Sequence, residues 1–461
     1  MGSNPDEARI TAYRCLFEVL ENQGYSNLVL KQELSGSFLD EKNRAFVTAM
    51  VYGTVTRVYT IDAMLAPYLK KKLCDIDAPV RTCLRMGAWQ VLFAYGVKDY
   101  AAVSSTVDLT REVCGKGTER LVNAVLRRLA EEGKSQLEAI PLKRADVRYS
   151  LKSEIAGCFI KWYGREKAEK IMDAYLTVPK VTLRPNRIRV PEIETLIEKL
   201  GEDGLHATVD PILPEAISIS EQSRDVSETS AFAEGDFSVQ SLSAMLVGRI
   251  CDPEPQWNIL DTCSAPGGKT AHLAELQGDQ GHIDALDANE VRLQMVGKTA
   301  ERLGLSSIVT FPYDCTYLSE EKERLLPEYD LVLCDVPCSG LGLLHRKPDI
   351  RLSMTYEKMQ QLLPVQKSIL ENASLRVRKG GYLVYSTCTV NPNENENQVV
   401  SFLREHPDFE MANFFALLPD ALKGNERLAE ESRKGCMTIL PDEEGMDGFF
   451  IAKLRRRNEH G

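Results

Sequence analysis

Apolar residues in the first third of the chain recur at helical spacing. Ala12, Leu16, Val19 and Leu20 share one helical face, Phe46, Met50, Val51 and Val55 share another, and strand-like alternation is almost absent between residues 8 and 131. Further helices are expected at about 59–72, 77–94, 101–114 and 118–131, which makes residues 1–140 an all-α bundle. The texture changes from 141 to 236. Pro141, Pro179, Pro185, Pro191, Pro211 and Pro214 punctuate short pieces such as Val181-Thr182-Leu183-Arg184 and Ala216-Ile217-Ser218-Ile219, the pattern of a small α/β connecting domain. The last domain, 237–461, alternates strand and helix. Apolar runs begin at Trp257, His282, Ile308, Leu331, Tyr382 and Phe449, and helical stretches cover 270–276, 289–303, 356–378 and 393–406, which predicts a doubly wound, Rossmann-like parallel sheet. In such a sheet a ligand binds beyond the carboxyl ends of the strands, where the strand order reverses.

Composition narrows the class. With 461 residues, 43% hydrophobic and 27% charged, the chain is multidomain and globular rather than disordered or fibrous. No apolar run approaches the roughly 20 residues that span a bilayer, so no membrane partner is expected. Twelve cysteines without C-x-x-C spacing, and no basic and apolar leader, argue against a zinc module and predict a reduced, cytoplasmic setting with no metal. The net charge of −11 is uneven: residues 1–150 hold 21 Lys and Arg against 18 Asp and Glu, and the remainder 35 against 49. A protein that merely coats nucleic acid should be basic, so any RNA binding has to rest on local patches around a shaped site.

The candidate chemistry sits on one rim of the last domain. Its first strand runs into Asp261-Thr262-Cys263-Ser264-Ala265-Pro266-Gly267-Gly268-Lys269-Thr270, a small-residue turn opening a helix, which suits close approach of a ligand to backbone. The G-x-x-x-x-G-K spacing of a P-loop is absent. Asp287, Asp314 and Asp335 end the next three strands; Asp287 suits either ribose hydroxyls or the cap of the following helix. Two thiols leave the sheet at the same edge, Cys338 in Asp335-Val336-Pro337-Cys338-Ser339-Gly340 and Cys388 in Ser386-Thr387-Cys388-Thr389. A buried cysteine is ordinarily an inert small hydrophobe, but two on one ligand-facing rim are a different matter. Methyl transfer to C5 of a pyrimidine needs such a set. A thiolate adds at C6 to make C5 nucleophilic, a carboxylate steadies the ring, and a second thiol assists release. The base must be single-stranded or flipped from its helix.

These motifs resemble the RNA (cytosine-5) methyltransferase (NOL1/NOP2/Sun) family. Its cofactor motif D-x-C-A-A-P-G-G-K-T is matched by Asp261 to Thr270 with Ser264 for the first alanine, D-A-P-C-S-G by Asp335 to Gly340, and T-C-S/T by Thr387 to Thr389. The resemblance implies a class I methyltransferase domain with S-adenosylmethionine held by Cys263, Ser264, Ala265, Pro266, Gly267, Gly268 and Lys269, with Asp287 on the ribose, Asp314 near the adenine and Asp335 at the donor methyl and target base. It also implies that Cys388 forms the adduct with C6, that Cys338 assists release, and that Asp335 belongs to the catalytic set. Further matches are Phe237 to Ser241, Asn391 to Glu396 and Gly448 to Ala452, whereas the family's P-D-I-K-W reads Pro348-Asp349-Ile350-Arg351-Leu352 here, leaving the site of the usual tryptophan to be accounted for.

Toward the N-terminus, Arg81 to Gln90 and Val122 to Arg127 are similar to the NusB-like RNA-binding domain. Fused ahead of such a methyltransferase, this is the RsmB (Sun/Fmu) arrangement, which implies a cytosine of 16S ribosomal RNA, position 967 expected, as substrate, with the RNA free or partly assembled and the enzyme a monomer. Two other readings stand at this point: the same chemistry on transfer or large-subunit RNA, and a non-catalytic RNA-binding or antitermination factor.

Overall fold

In the computed structural model the described residues are 6–141, 143–221, 225–317, 328–442 and 445–458. They form two compact units: one comprises residues 1–178 with Leu344–Tyr356, the other Pro179–Leu343 with Glu357–Gly461. This partition differs from the three-part division expected along the chain, because residues 141–236 are shared between the units and a short downstream segment belongs to the first. Among the described residues no helix is long and apolar enough to cross a membrane.

The first unit is helical. Helices Glu7–Glu21, Ser26–Ser35, Glu41–Thr56, Val58–Leu65, Ala78–Leu92, Asp99–Cys114 and Glu119–Glu138 surround one core, and Ser153–Ala174 follows them. The first of these starts at Asp6, whose side chain accepts from the Ala8 N–H, and buries Ala8, Thr11, Ala12, Cys15, Leu16 and Val19 at helical spacing. Close packing is bought by a small residue at Gly53, where a Cβ would lie 2.2 Å from the Trp89 ring.

The segment 344–356 is built into this unit. Asp349 caps the N-terminus of Ser26–Ser35, accepting from the Ser26 N–H (3.2 Å) and Oγ (2.9 Å). Arg351 is buried and donates to the carbonyls of Tyr149, Ser150 and Tyr175 at 2.9–3.0 Å. Burial lowers the Arg351 guanidinium to about 9, so it remains charged at neutral pH. Leu352 is half-buried and packs against the helical core, so the position where the family usually has tryptophan lies at the edge of that core here.

The second unit contains two sheets. Four antiparallel strands, β1 (Val181–Pro185), β2 (His206–Val209), β3 (Ile217–Glu221) and β4 (Phe237–Val239), pair in the order β2-β3-β1-β4. Leu183, Ile217, Ile219 and Phe237 pack with Leu196 and Leu200 of a covering helix. The larger sheet holds β5 (Asn258–Asp261), β6 (His282–Asp287), β7 (Ile308–Pro312), β8 (Tyr329–Asp335), β9 (Val377–Thr387), β10 (Phe409–Met411), β11 (Cys436–Ile439) and β12 (Phe449–Arg456). Its order is β10-β12-β9-β8-β5-β6-β7, with β11 also on β12. Strands alternate their faces: Ile259, Leu331, Leu333, Val384 and Ile451 enter one core, and Leu260, Val332, Leu383, Tyr385 and Phe450 the other.

Strands β5 to β9 are parallel, as the alternating pattern predicts, but β12 runs antiparallel to β9 and pairs antiparallel with β10 and β11. The sheet is therefore mixed, not wholly parallel. Residues 440–448 between β11 and β12 fall short of the dozen or so that a parallel crossover requires. Chain order reverses between β5 and β8, which places the ligand crevice at their carboxyl ends.

Candidate active site

β5 ends on Asp261, and the chain turns through 262–267 into helix Gly268–Leu276. The turn is tied at both sides. Ser264 donates from N and Oγ to the Leu286 carbonyl of β6, and Thr262 N donates to the Leu333 carbonyl of β8. Gly267 has φ +104°, and a Cβ there would press on Val296 at 3.0 Å. Gly268 differs: a Cβ added to it meets nothing within 4 Å. The helix has no side-chain cap at this end. An open space over uncapped backbone N–H groups is a cradle suited to the carboxylate of an amino-acid-like ligand.

Arg184 of β1 braces the turn from below. Buried, it donates from Nε and Nη2 to Glu275 (2.9 and 2.8 Å) and from Nη1 to the Gly268 carbonyl (2.8 Å) and to Gln240. Sequence reading assigned Arg184 no role; only its place in an extended run was visible.

Asp287 is buried and accepts from the N–H groups of Ala265 (3.3 Å) and Asn289 (2.9 Å). It ties the turn to β6. The cap of the following helix is Asn289, which accepts from the Arg292 N–H, so the capping alternative considered for Asp287 belongs to its neighbour. Asp314 is exposed after β7 and closes a local turn on Thr316 N and Oγ1. Asp335 ends β8 with both oxygens engaged, Oδ2 by Lys269 Nζ at 2.6 Å and Oδ1 by Ser386 Oγ at 2.8 Å.

Burial acts to lower the Lys269 ammonium, but the adjacent Asp335 charge and hydrogen bond outweigh it and the net shift is upward. Asp261 behaves oppositely. Buried, with Thr270 and the Cys263 N–H as donors, its carboxyl is pushed up to about 7 by burial. Cys263 packs against the core beside Cys315 and Cys334, and burial raises its thiol well above the ordinary range, so its contribution to the turn is through backbone.

The two rim thiols converge. Cys338 Sγ and Cys388 Sγ lie 3.3 Å apart, both partly exposed, at the ends of adjacent strands β8 and β9. Gly342, one turn after Cys338, donates its N–H to the Cys388 carbonyl (3.0 Å) and accepts from the Gly448 N–H (3.0 Å). Cys338 is held protonated, first by its hydrogen bond to Cys388 and then by burial.

Beneath the thiols lies a polar cluster that the sequence did not single out. Glu394, fully buried, accepts from Ser339 N (2.8 Å), Ser339 Oγ (2.6 Å), Gln366 Nε2 (3.0 Å) and Asn391 Nδ2 (2.8 Å). Asn395 accepts from Thr387 Oγ1 (2.6 Å) and donates to the Thr389 carbonyl (2.9 Å). The Asn391 to Glu396 match was the available signal, without a role attached. Among the described residues no group of three or more His, Cys, Asp and Glu is arranged to hold a metal ion.

Residues 249–455 match the family model described as 16S rRNA methyltransferase RsmB/F, and residues 6–131 match the NusB family. A relative from Bacillus subtilis (strain 168), "Probable ribosomal RNA small subunit methyltransferase B", is 34% identical over 455 residues, covering 97% of this chain and 98% of its own. The chain belongs to the RsmB family. It is accordingly a ribosomal RNA methyltransferase that uses S-adenosylmethionine, and the cradle over Gly268 fits that cofactor. The RsmB fold is also seen in the crystal structure of PH0851, with TM-score 0.79 and 22% identity over 99% of this chain and all of that one. NSun6 from Pyrococcus horikoshii with SFG covers 67% of this chain and 99% of its own, with TM-score 0.58 and 22% identity.

Proposed function

We propose that the chain methylates C5 of a cytosine in 16S ribosomal RNA, cytosine 967 being the expected position, through a covalent bond between Cys388 and C6. The observation that carries this reading is the 3.3 Å approach of Cys338 and Cys388 beside the Lys269–Asp335 pair. The expected substrate is small-subunit RNA, free or partly assembled, and the expected state a monomer.

Residues Cys263 to Lys269 would hold the donor over the Gly268 cradle, with Asp287 serving its ribose and Asp314 its adenine. The structure of NSun6 with SFG, an analogue of S-adenosylmethionine, supports a donor site in this fold. When bound, S-adenosylmethionine supplies an electrophilic methyl carried on a sulfonium. Asp335, oriented by Lys269 and Ser386, faces the polar edge of the cytosine. The Cys388 thiolate adds to C6, and the C5=C6 electron pair becomes available at C5. After methylation a base removes the C5 proton, the double bond re-forms, and the C6–S bond breaks with its pair returning to Cys388. Cys338, 3.3 Å away and protonated, offers its S–H to that departing sulfur.

Incubation of Cys388→Ala and Cys338→Ala variants with undermethylated small-subunit RNA and labelled donor tests the scheme. Cys388→Ala should abolish transfer, and Cys338→Ala should leave an RNA adduct that survives denaturing gels. Full activity in Cys388→Ala would refute the nucleophile. Bisulfite mapping of RNA from cells with and without the gene fixes the nucleotide.

A further inference from the structure

Two identical functional groups 3.3 Å apart on matching loops have no intrinsic reason to take different roles. Something around them has to make them unequal. The surroundings differ on two sides: the Lys269 ammonium lies toward Cys388, and a buried acid, Glu394, lies under the Cys338 loop. Glu394 receives both the backbone N–H and the hydroxyl of Ser339, the residue after Cys338. Ser339 Oγ also lies 2.7 Å from Thr389 Oγ1, the hydroxyl of the residue after Cys388. Because the single Ser339 hydroxyl proton points to Glu394, Thr389 must donate to Ser339, and the chain Thr389 to Ser339 to Glu394 has one direction. Gln366 extends the clamp by donating to both Glu394 and the Pro337 carbonyl, and Tyr385 by donating to the Glu394 carbonyl at 2.7 Å.

We propose that Glu394 is a positioning residue for the methyl transfer: its buried carboxylate locks the two cysteine loops together and makes their thiols unequal. This rests on the reading of Cys388 as nucleophile. A fixed negative charge beside Cys338 disfavours a second anion there, so Cys338 keeps its proton and serves as S–H donor while Cys388 carries the negative charge. The charge of Glu394 adds in that direction to the effects of Cys388 and of burial. Among the described residues, the other titratable groups that act on the pair include Tyr385 beneath, and Lys269 with Asp335 on the donor side. Four donors from Ser339, Gln366 and Asn391 stand in for water around this carboxyl group at zero exposure.

Alkylation of Cys338 by iodoacetamide, followed by mass spectrometry, isolates the charge. In a Cys388→Ala background the partner thiol is gone and only burial and Glu394 restrain Cys338. Adding Glu394→Gln, which keeps shape and removes charge, should speed alkylation at fixed pH by about threefold or more, a fraction of the tenfold that one pKa unit represents. Ser339→Ala keeps the charge and should leave that rate unchanged. Equal acceleration by both variants would show that only access to the thiol had changed, and no acceleration by Glu394→Gln would remove the electrostatic role; either overturns the proposal. With Cys388 intact, Glu394→Gln and Ser339→Ala should each lower kcat at least about tenfold with KM for RNA and donor affinity within about twofold, since misplacement of reacting groups costs chemistry rather than binding. Undiminished kcat in Glu394→Gln would also overturn it. The alkylation comparison does not depend on turnover, so failure of the nucleophile assignment and failure of this proposal are distinguishable.

Discussion

Replacing Gly342 by alanine should cripple catalysis while sparing the donor site. A Cβ at this position would stand 1.8 Å from the Gly448 carbonyl oxygen and 2.8 Å from the Cys388 carbonyl oxygen, both backbone atoms without a rotamer to yield. Contacts below 3.4 Å already force a neighbour to give, so relief at Gly448 requires a shift of about 1.6 Å and at Cys388 about 0.6 Å. The loop cannot absorb this freely, because the Gly342 N–H is bonded to Cys388 and its carbonyl to Gly448. Overpacking of this kind costs about 1–3 kcal/mol of stability. A displacement approaching 1 Å between reacting groups is worth about 10²-fold in rate. Denaturant unfolding, calorimetric titration of S-adenosylmethionine and single-turnover methylation of RNA, run side by side on Gly342→Ala, separate these effects. Donor affinity close to wild type with a rate lowered about a hundredfold is expected. A folded variant with the wild-type rate would show that the Cys388 loop tolerates movement, and would remove the argument that the thiols act at a fixed separation.

Gly268→Ala should behave in the opposite sense, since a Cβ there meets no protein atom and alanine suits a helix start: stability unchanged or up to about 1 kcal/mol higher, with donor binding weakened in calorimetry. Asp261, at about 7 when folded and near 4 when unfolded, releases its proton on unfolding between those values, so it subtracts stability as pH rises through that window. Asp261→Asn should therefore gain on wild type by about 2–3 kcal/mol between pH 5 and pH 8 in donor-free denaturant melts, and a constant gap would refute the buried, neutral acid. Peroxide should convert Cys388 to a sulfenic acid, whose sulfur the Cys338 thiol then attacks with its hydroxyl leaving as water, giving a disulfide mapped by mass spectrometry and an activity loss that dithiothreitol reverses. Single sulfinic products without the cross-link would contradict the observed approach of the sulfurs.

Much of this architecture was legible in the chain because local periodicity carries it. The runs beginning at Trp257, His282, Ile308, Leu331, Tyr382 and Phe449 correspond to β5, β6, β7, β8, β9 and β12, each fixed by alternation or by an apolar stretch. The three-residue β10 and four-residue β11 carry too little pattern to be noticed, and the direction of β12 depends on a connection length rather than on its own residues. The motif cysteines were placed on one rim, but the reason they meet lies elsewhere. Ser339 and Glu394 are 55 residues apart, as are no periodic pairs, and their bond follows from the adjacency of β8 and β9. Asp287 shows the same limit. Its acidic side chain suggested either a ribose or a helix cap; the bond from Asn289 is local, but the bond from Ala265 depends on the turn after a different strand.

Because Leu344–Tyr356 is incorporated in the helical unit, neither half of this protein is an uninterrupted stretch of gene. A fragment ending at Val178 would leave the Ser26 helix without Asp349, strip the carbonyls of Tyr149, Ser150 and Tyr175 of their guanidinium, and open the core where Leu352 sits. Expression of that fragment alone should yield an insoluble or molten product, and its rescue by a linked copy of 344–356 would be the practical sign that this downstream segment completes the helical unit.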